Sequence, residues 1–310
     1  MAEFSPLGAW QMLREAGSDW LEDDAPQQGA ALAFYSILSL APLLVISLAV
    51  ASLAFSHDAA GEEMIGQLQG VVGQEGAEAA KTMLNNAQQP QQGTIATILG
   101  VLTLLFGASG VFGQLQASMN TIWDVKPKPG GGIWALLRAR FLSLGMVLGT
   151  AFLLLVSLVL SAVIAGVGTM LQNQWPGMET LWHLLNVVVS FVVATLLFAL
   201  IFKYLPDANI AWSDVWVGAV LTAILFTVGK WLIGMYLGKS GLSSSYGAAG
   251  SFVVLVVWIY YSALILFFGA ELTQVYARRY GAPITPKPGA EYIGDQANAS
   301  SPTAARASGS

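Results

Sequence analysis

Two ionisable side chains lie inside long apolar stretches of this sequence, and they are the first residues that could do chemistry. Lys230 lies within LTAILFTVGKWLIGMY (221–236), and Glu271 follows the apolar run ILFFGA. If these stretches cross a membrane, a charge within them is costly and normally faces the bundle interior or a water-filled cavity. Lys230 could then attract an anionic substrate group, and Glu271 could bind a coupling proton or cation.

Lys230 has two interpretations, and the sequence leaves both open. Helical geometry, at about 1.5 Å per residue, places it near the depth of Tyr260 and Tyr261 in the last apolar stretch. These three residues are therefore substrate or cavity candidates. The alternative is that the butyl chain of Lys230 lies in lipid while its ammonium group extends to the outer headgroups.

Glu271 begins a polar stripe, because Gln274 and Arg278 follow at i+3 and i+7 on the same helical face. Lys203, at the inner end of another apolar stretch, is a second potential partner. Glu271, Gln274, Arg278 and Lys203 are therefore coupling or polar-network candidates. We expect Arg278 or Lys203 to anchor Glu271 structurally, and the alternative is a carboxylate that couples to protons or cations. Lys230 and Glu271 differ in height by roughly 10 Å, so we expect no salt bridge between them.

A further polar group, Gln114, Gln116 and Asn120, lies at the end of the segment GASGVFGQLQASMN (107–120). These amides could line a hydrophilic cavity that opens inward, or they could form hydrogen bonds between helices. Pro42 lies in the first apolar stretch, where it removes one backbone donor and is expected to kink the helix.

The remaining ionisable residues exclude several classes of chemistry. There is no cysteine, and the two histidines, His57 and His183, fall in separate segments. The group of His57, Asp58, Glu62 and Glu63 is predicted to lie outside the cytoplasm, away from RNA, and the basic residues are too few for a nucleic-acid groove. We therefore predict no catalytic residues, no metal site, no cofactor, no nucleic-acid partner and no enzyme activity.

The composition places the chain in a membrane. Of 310 residues, 55% are hydrophobic and only 10% are charged, against about 25% charged in soluble domains. A spanning helix needs about 20 apolar residues, and six stretches qualify, at about 29–56, 94–119, 141–170, 183–202, 213–237 and 250–275. The predicted fold is an all-α integral membrane protein, a bundle of six transmembrane helices with an N-terminal interfacial helix and a short helical extracytoplasmic cap.

The basic residues predict the orientation. Ten of the 13 Lys and Arg residues fall on one side of the predicted spans, two on the other, and Lys230 lies within a span. Because cytoplasmic loops are enriched in Lys and Arg, both termini are predicted to be cytoplasmic. The domains are then a cytoplasmic or interfacial segment 1–28, a six-span domain 29–280 with an extracytoplasmic loop 57–93, and a disordered cytoplasmic tail 281–310.

Four segments carry a family resemblance. They are AALAFYSILSLAPLL (30–44), NTIWDVKP (120–127), YLPDANIAWSDVWVGA (204–219) and SYGAAGSFVVLVVWIYYSALILFFGAEL (245–272). In order and spacing they resemble the YihY/virulence factor BrkB family of polytopic bacterial inner-membrane proteins, over roughly residues 20–280. The resemblance implies no settled activity, since some members were once labelled ribonuclease BN and others are linked to serum resistance and envelope lipid trafficking.

Residues and resemblance together predict a multi-pass protein of the bacterial inner (cytoplasmic) membrane. We expect a transporter or translocase of an anionic amphiphile, such as an envelope lipid or its precursor. The alternative is a non-transporting scaffold for envelope assembly, and the basic residues argue against a ribonuclease. Membrane lipids are the expected partners, while homo-oligomerisation, substrate identity, direction of transport and coupling ion are left open.

Overall fold

The computed structural model describes residues 6–52, 56–87, 110–128, 179–240 and 250–293. Its helices are α1 (Pro6–Glu22), α2 (Ala25–Ala51), α3 (His57–Ala87), α4 (described over residues 110–122), α5 (Glu179–Tyr204), α6 (Trp212–Ser240) and α7 (Gly250–Tyr280). Its strands are β1 (Val125–Pro127), β2 (Ala208–Asn209), β3 (Thr285–Pro286) and β4 (Ala290–Tyr292).

Three described helices contain stretches long and apolar enough to cross a membrane: Val187–Tyr204, Trp212–Tyr236 and Phe252–Tyr280. They coincide with the fourth, fifth and sixth predicted spans. Helix α2 covers most of the first predicted span, α4 covers the end of the second, and the third, 141–170, lies outside the described residues. The predicted helical membrane class is confirmed, and the count of six spans stays a prediction.

Helix α7 lies at the centre of the described helices, where it contacts α1, α2, α3 and α6. Its contact with α6 is close because two glycines each face a threonine of the other helix. A Cβ at Gly218 would overlap Thr273 Oγ1, and one at Gly269 would overlap Thr222 Oγ1. Small residues of this kind allow helix backbones to approach closely in membranes.

The largest buried side chains lie where α4, α5 and α7 meet, and they include Trp123, Phe202 and Phe267. The short strands lie beside this core, with β1 paired to β4 and β2 to β3, both antiparallel. We call this the strand end of the bundle. It also holds the α1–α2 turn and the α5–α6 connection, because β2 lies in that connection.

The disorder predicted from Gly281 onward is wrong for residues 281–293. Ala282 N donates to the buried Asp214 carboxylate at 3.2 Å, and the Lys287 ammonium group donates to Pro206 O at 2.7 Å. With β3 and β4 paired, these bonds fasten the chain to the strand end, although its Pro- and Gly-rich composition is typical of disorder. Residues 294–310 lie outside the described residues.

The sequence predicts a short helical cap in the loop 57–93, and the structure shows one 31-residue helix, α3, while residues 88–93 lie outside the described residues. It packs against α2 and α7. Its contact with α2 is a compact apolar cluster of Leu44, Leu48, Ala60, Ala80 and Leu84. The side of the membrane on which α3 lies stays a prediction.

Helix α1 has two different faces. Met12 and Ala16 are buried against Leu272 and Val275 of α7, whereas Trp10 is 67% exposed. Leu13 and Leu21 are also exposed on the outer face. An exposed apolar stripe of this kind is typical of interfacial helices, and the predicted interfacial location of α1 stays a prediction.

Candidate functional site

An acidic cluster occupies the strand end, and Glu271 of α7 lies at its centre. Its side chain is 1% exposed, and neither carboxylate oxygen accepts a hydrogen bond from the described residues. The Asp23 carboxyl lies within hydrogen-bonding reach of Glu271. Two ionised carboxylates have no donor between them, so a hydrogen bond joins this pair only when one of them carries a proton.

The α1–α2 turn directs Asp23 toward α7. Asp24 adopts φ 52°, in the left-handed region that Asp tolerates better than most residues. The Gln28 side-chain amide donates to Asp23 O at 2.7 Å and holds the turn. As a result Asp23 is half-buried while Asp24 is exposed.

A second turn, after α4, brings Asp124 to the same cluster. Asp124 also has φ 52°, and its Oδ2 accepts a hydrogen bond from Gln274 Nε2 at 3.0 Å. The other amide atom, Gln274 Oε1, is buried and has no donor among the described residues. The cluster therefore contains three buried acceptor atoms, two of Glu271 and one of Gln274, that lack a donor in the described part of the chain.

The surroundings favour protonation of the two turn carboxylates. The pKa of Asp23 is raised to about 6, mainly by burial and also by the charges of Asp124, Asp19 and Glu22, against the opposing effect of hydrogen bonding with Glu271. Burial also raises the pKa of Asp124, against the opposing effects of the Arg278 charge and the Gln274 hydrogen bond. Asp23 can thus exchange a proton with solvent near neutral pH.

A pocket of about 380 Å³ opens beside Asp23, between the α1–α2 turn and α4. Its lining is polar and acidic and consists of Glu22, Asp23, Asp24, Gln27, Gln28, Ala31, Gln114 and Thr121. Gln114 was predicted as a cavity residue, and the structure places it in this lining. Solvent therefore reaches the Asp23 side of the carboxyl pair.

The other two predicted cavity amides lie elsewhere, in a hydrogen-bonded connection to Asp207. Asn120 Nδ2 donates to Asp207 Oδ2 at 2.9 Å, and Asp207 N donates back to Asn120 Oδ1 at 2.7 Å. Gln116 Nε2 also donates to Asp207 Oδ2, at 3.3 Å. Of the two interpretations left open, these contacts favour bonding between elements over a cavity wall.

The expected anchoring of Glu271 by Arg278 or Lys203 is wrong. Arg278 instead forms salt bridges with Asp19 and Glu15 of α1, and the neighbouring Arg279 also binds Glu15. Lys203 donates to the Ile210 carbonyl oxygen and lies 5.6 Å from the ring centroid of Trp212. Arg278 therefore stays in the same polar network as Glu271, and Lys203 does not.

Lys230 is exposed, next to Trp231, which is 64% exposed. Tyr260 and Tyr261 of α7, the predicted neighbours of Lys230, pack against two different helices. The Tyr261 hydroxyl would lie 3.0 Å from a Cβ at Gly229 of α6, whereas Tyr260 would lie 3.4 Å from one at Gly29 of α2. The exposure of Lys230 favours the interpretation in which its ammonium group extends to the headgroups.

Pro42 lies within α2, which continues as a helix from Ala25 to Ala51. Proline in a helix removes the donor to the carbonyl four residues earlier, here that of Leu38. The nearby Ser39 hydroxyl donates to Tyr35 O rather than to the carbonyl oxygen of Leu38. The kink at Pro42 stays a prediction.

Sequence reasoning missed Asp23, Asp124 and Asp207. All three lie in short connections at the predicted inner ends of spans, in the segments LEDDAPQQG, NTIWDVKP and YLPDAN. The sequence feature that could have indicated them is the excess of acidic residues on the side of the membrane that is predicted to be cytoplasmic. Within the described residues, no group of three or more His, Asp and Glu side chains could hold a metal ion.

Comparison with known proteins gives consistent matches along the chain. A family model described as virulence factor BrkB matches residues 16–293. A UPF0761 membrane protein of Pseudomonas aeruginosa is 28% identical over 256 residues, which cover 82% of this chain and 59% of the relative. A UPF0761 membrane protein of Psychrobacter sp. is 25% identical over 268 residues, which cover 85% of this chain and 48% of the relative.

A shorter relative matches over nearly its whole length. The ribonuclease-like protein YfkH of Bacillus subtilis is 23% identical over 277 residues, covering 87% of this chain and 97% of YfkH. In contrast, the chain spans less than two thirds of the length of the two UPF0761 relatives. No solved structure matches the chain.

Proposed function

Because this chain belongs to the BrkB virulence factor family of membrane proteins, we propose that it transports or translocates an anionic amphiphile. The proposed substrate is an envelope lipid or a lipid precursor, and the proposed location is the bacterial inner membrane with both termini cytoplasmic. The ribonuclease-like name of YfkH does not enter the proposal, since the described residues offer no grouped metal ligands for hydrolysis.

The observation that carries the proposal is Glu271, which lies in the apolar stretch Phe252–Tyr280 and is a buried carboxyl with no donor among the described residues. Ionisable residues in spanning helices are costly, and they mark ion, proton or substrate pathways. The open pocket beside Asp23 gives this group a route to water.

The substrate class rests on the two ends of α6. Lys203 lies over Trp212 at the strand end, and Lys230 lies beside Trp231 toward the other end. Trp212 and Trp231 are about 29 Å apart along the helix, close to the ~30 Å thickness of a hydrocarbon core. Exposed tryptophans of this kind mark membrane interfaces. In the proposal, Lys203 and Lys230 therefore lie near the headgroups of opposite leaflets, where each attracts anionic headgroups.

Lipid movement in reconstituted vesicles tests the proposal. The full chain is placed in vesicles that contain a trace of fluorescent phosphatidylglycerol, and a membrane-impermeant reductant bleaches the label in the outer leaflet. We expect the protein to accelerate bleaching of the inner-leaflet label. We also expect Glu271→Gln to slow this movement by roughly tenfold, which is about 1.4 kcal/mol on the barrier.

Glu62→Gln is the matched control, since Glu62 is an exposed carboxylate on α3. It should leave lipid movement unchanged. A fluorescent phosphatidylcholine tests the preference for an anionic headgroup and should move more slowly. Equal bleaching in protein-containing and empty vesicles would count against transport and in favour of the scaffold.

A further inference from the structure

We propose that Asp23 and Glu271 form a proton-binding carboxyl pair that takes its proton from the pocket at the α1–α2 turn. As the coupling site of a transporter the pair rests on the proposed function, whereas proton binding itself does not. The proposal names the ligand of the site as a proton, held between one half-buried carboxyl and one fully buried carboxyl.

The first argument is the missing donor. Both Glu271 oxygens and Gln274 Oε1 are buried acceptors without a donor among the described residues. Buried polar groups are normally hydrogen-bonded, and a buried anion without donors is strongly unfavourable. A single proton neutralises one carboxyl and supplies an O–H donor to the cluster.

The second argument is the position of Asp23 between water and Glu271. Asp23 lines the open pocket, while Glu271 is 1% exposed and does not line it. The two carboxyls lie within hydrogen-bonding reach of each other. A proton that enters from the pocket therefore meets Asp23 first and can pass to Glu271 along one hydrogen bond.

The surrounding charges agree with uptake of a cationic species. Asp19 and Glu22 of α1 and Asp124 of the α4–β1 turn face the pair and favour proton binding. Arg278 opposes it, but this arginine is itself engaged by Asp19 and Glu15. The pKa of Asp23, raised to about 6 mainly by burial, lies in the range where such a group exchanges protons near neutral pH.

A proton fits the pair better than a metal ion. Hard metal cations require several oxygen ligands around one point, and the described residues contain no group of three or more carboxylate or His side chains with that arrangement. Two carboxyls within hydrogen-bonding reach of each other already have the geometry that one shared proton requires. Sodium is the metal ion that competes with the proton for this pair, and the experiment has to distinguish the two ligands.

Infrared difference spectroscopy tests the pair on the full chain in lipid nanodiscs. Spectra taken between pH 5 and pH 8 report the C=O stretch of protonated carboxylic acids. We expect a band in the native chain that is missing in Glu271→Gln, and a changed pH midpoint in Asp23→Asn. The exposed Glu62→Gln variant is the control and should retain the native band and midpoint.

Three outcomes would overturn the proposal. They are an unchanged band in Glu271→Gln, an unchanged midpoint in Asp23→Asn, and loss of the band when sodium chloride replaces choline chloride at constant pH. If Glu271→Gln does not fold, Asp23→Asn at the pocket edge decides the question. Because no lipid flux is measured, a native band without lipid movement would refute the proposed transport and leave the proton site intact.

Discussion

At the residue scale, burial separates acids that look alike in the sequence. Glu15 and Asp19 form salt bridges with Arg278 and Arg279, whereas the Glu271 carboxylate has no donor in the part of the chain that the structure describes. The paired acids are satisfied and need no proton. Among the described residues the carboxyl pair of Asp23 and Glu271 forms no salt bridge, so we expect its protonation state to depend on pH.

Asp23→Asn should change the pH dependence of stability. The folded-state pKa of Asp23, about 6, lies above its ordinary value of 3.8. The stability that its proton provides is therefore fully present below about pH 4 and lost as the pH rises through about 6. Asn cannot ionise, so the variant should be more stable than the native chain at pH 8, and the difference should shrink toward pH 4.

Thermal unfolding followed by tryptophan fluorescence in detergent measures this difference. Glu62→Gln is again the control, and it should follow the native chain at every pH. A difference between Asp23→Asn and the native chain that stays constant from pH 4 to pH 8 would show that Asp23 does not titrate in this range.

At the element scale, the contact between α6 and α7 depends on the reciprocal glycine–threonine pairs. Each threonine hydroxyl also donates to a backbone carbonyl of its own helix, Thr222 to Gly218 O at 2.7 Å and Thr273 to Gly269 O at 2.6 Å. These bonds hold the threonine side chains in place. Helix α7 carries Glu271 and Gln274, so the spacing of the two helices also positions the carboxyl cluster.

Gly218→Ala should destabilise the chain, because the added methyl group would overlap Thr273. Overpacking of this kind costs about 1–3 kcal/mol. The matched control is Gly234→Ala on the same helix, where no described atom beyond the local helix backbone lies within 4 Å of the added Cβ. It should be neutral or stabilising, since Ala is favoured over Gly in a helix by up to ~1 kcal/mol.

The double variant Gly218→Ala with Thr273→Ala separates overlap from helix propensity. Removal of the threonine side chain makes room for the new methyl group and should recover part of the lost melting temperature. Equal melting temperatures for Gly218→Ala and Gly234→Ala would contradict the close contact.

At the scale of the whole molecule, orientation decides which side of the membrane supplies the proton. The bias in Lys and Arg predicts that the strand end is cytoplasmic and that α3 lies outside. The natural absence of cysteine makes this testable with single replacements. Glu62→Cys should react with a membrane-impermeant maleimide in intact spheroplasts, whereas Asn209→Cys should react only after lysis.

Both positions are exposed in the structure, so poor reactivity reflects the membrane rather than burial. The cysteine-free native chain is the control for background labelling. The reverse pattern, with Asn209→Cys labelled in intact spheroplasts, would place the pocket and Asp23 on the outer side and reverse the direction of proton entry.

The sequence by itself determined the class of molecule. Helices α5, α6 and α7 coincide with predicted spans. They were predictable because length and apolar content are local properties of the chain, and because a spanning helix satisfies its backbone hydrogen bonds internally. The positions of Glu271 and Gln274 inside a predicted span were also evident, since a polar group in an apolar helix is visible without any neighbour.

Only the tertiary structure decided which groups meet. Gln274 and Asp124 are 150 residues apart, Asn120 and Asp207 are 87 apart, and Arg278 lies 259 residues from Asp19. Such pairs depend on the packing of helices that the intervening chain connects, and no local periodicity reports it. For the same reason the sequence predicted Arg278 or Lys203 as the partner of Glu271. In the structure Arg278 binds α1 instead, and Asp23 of the α1–α2 turn lies beside Glu271.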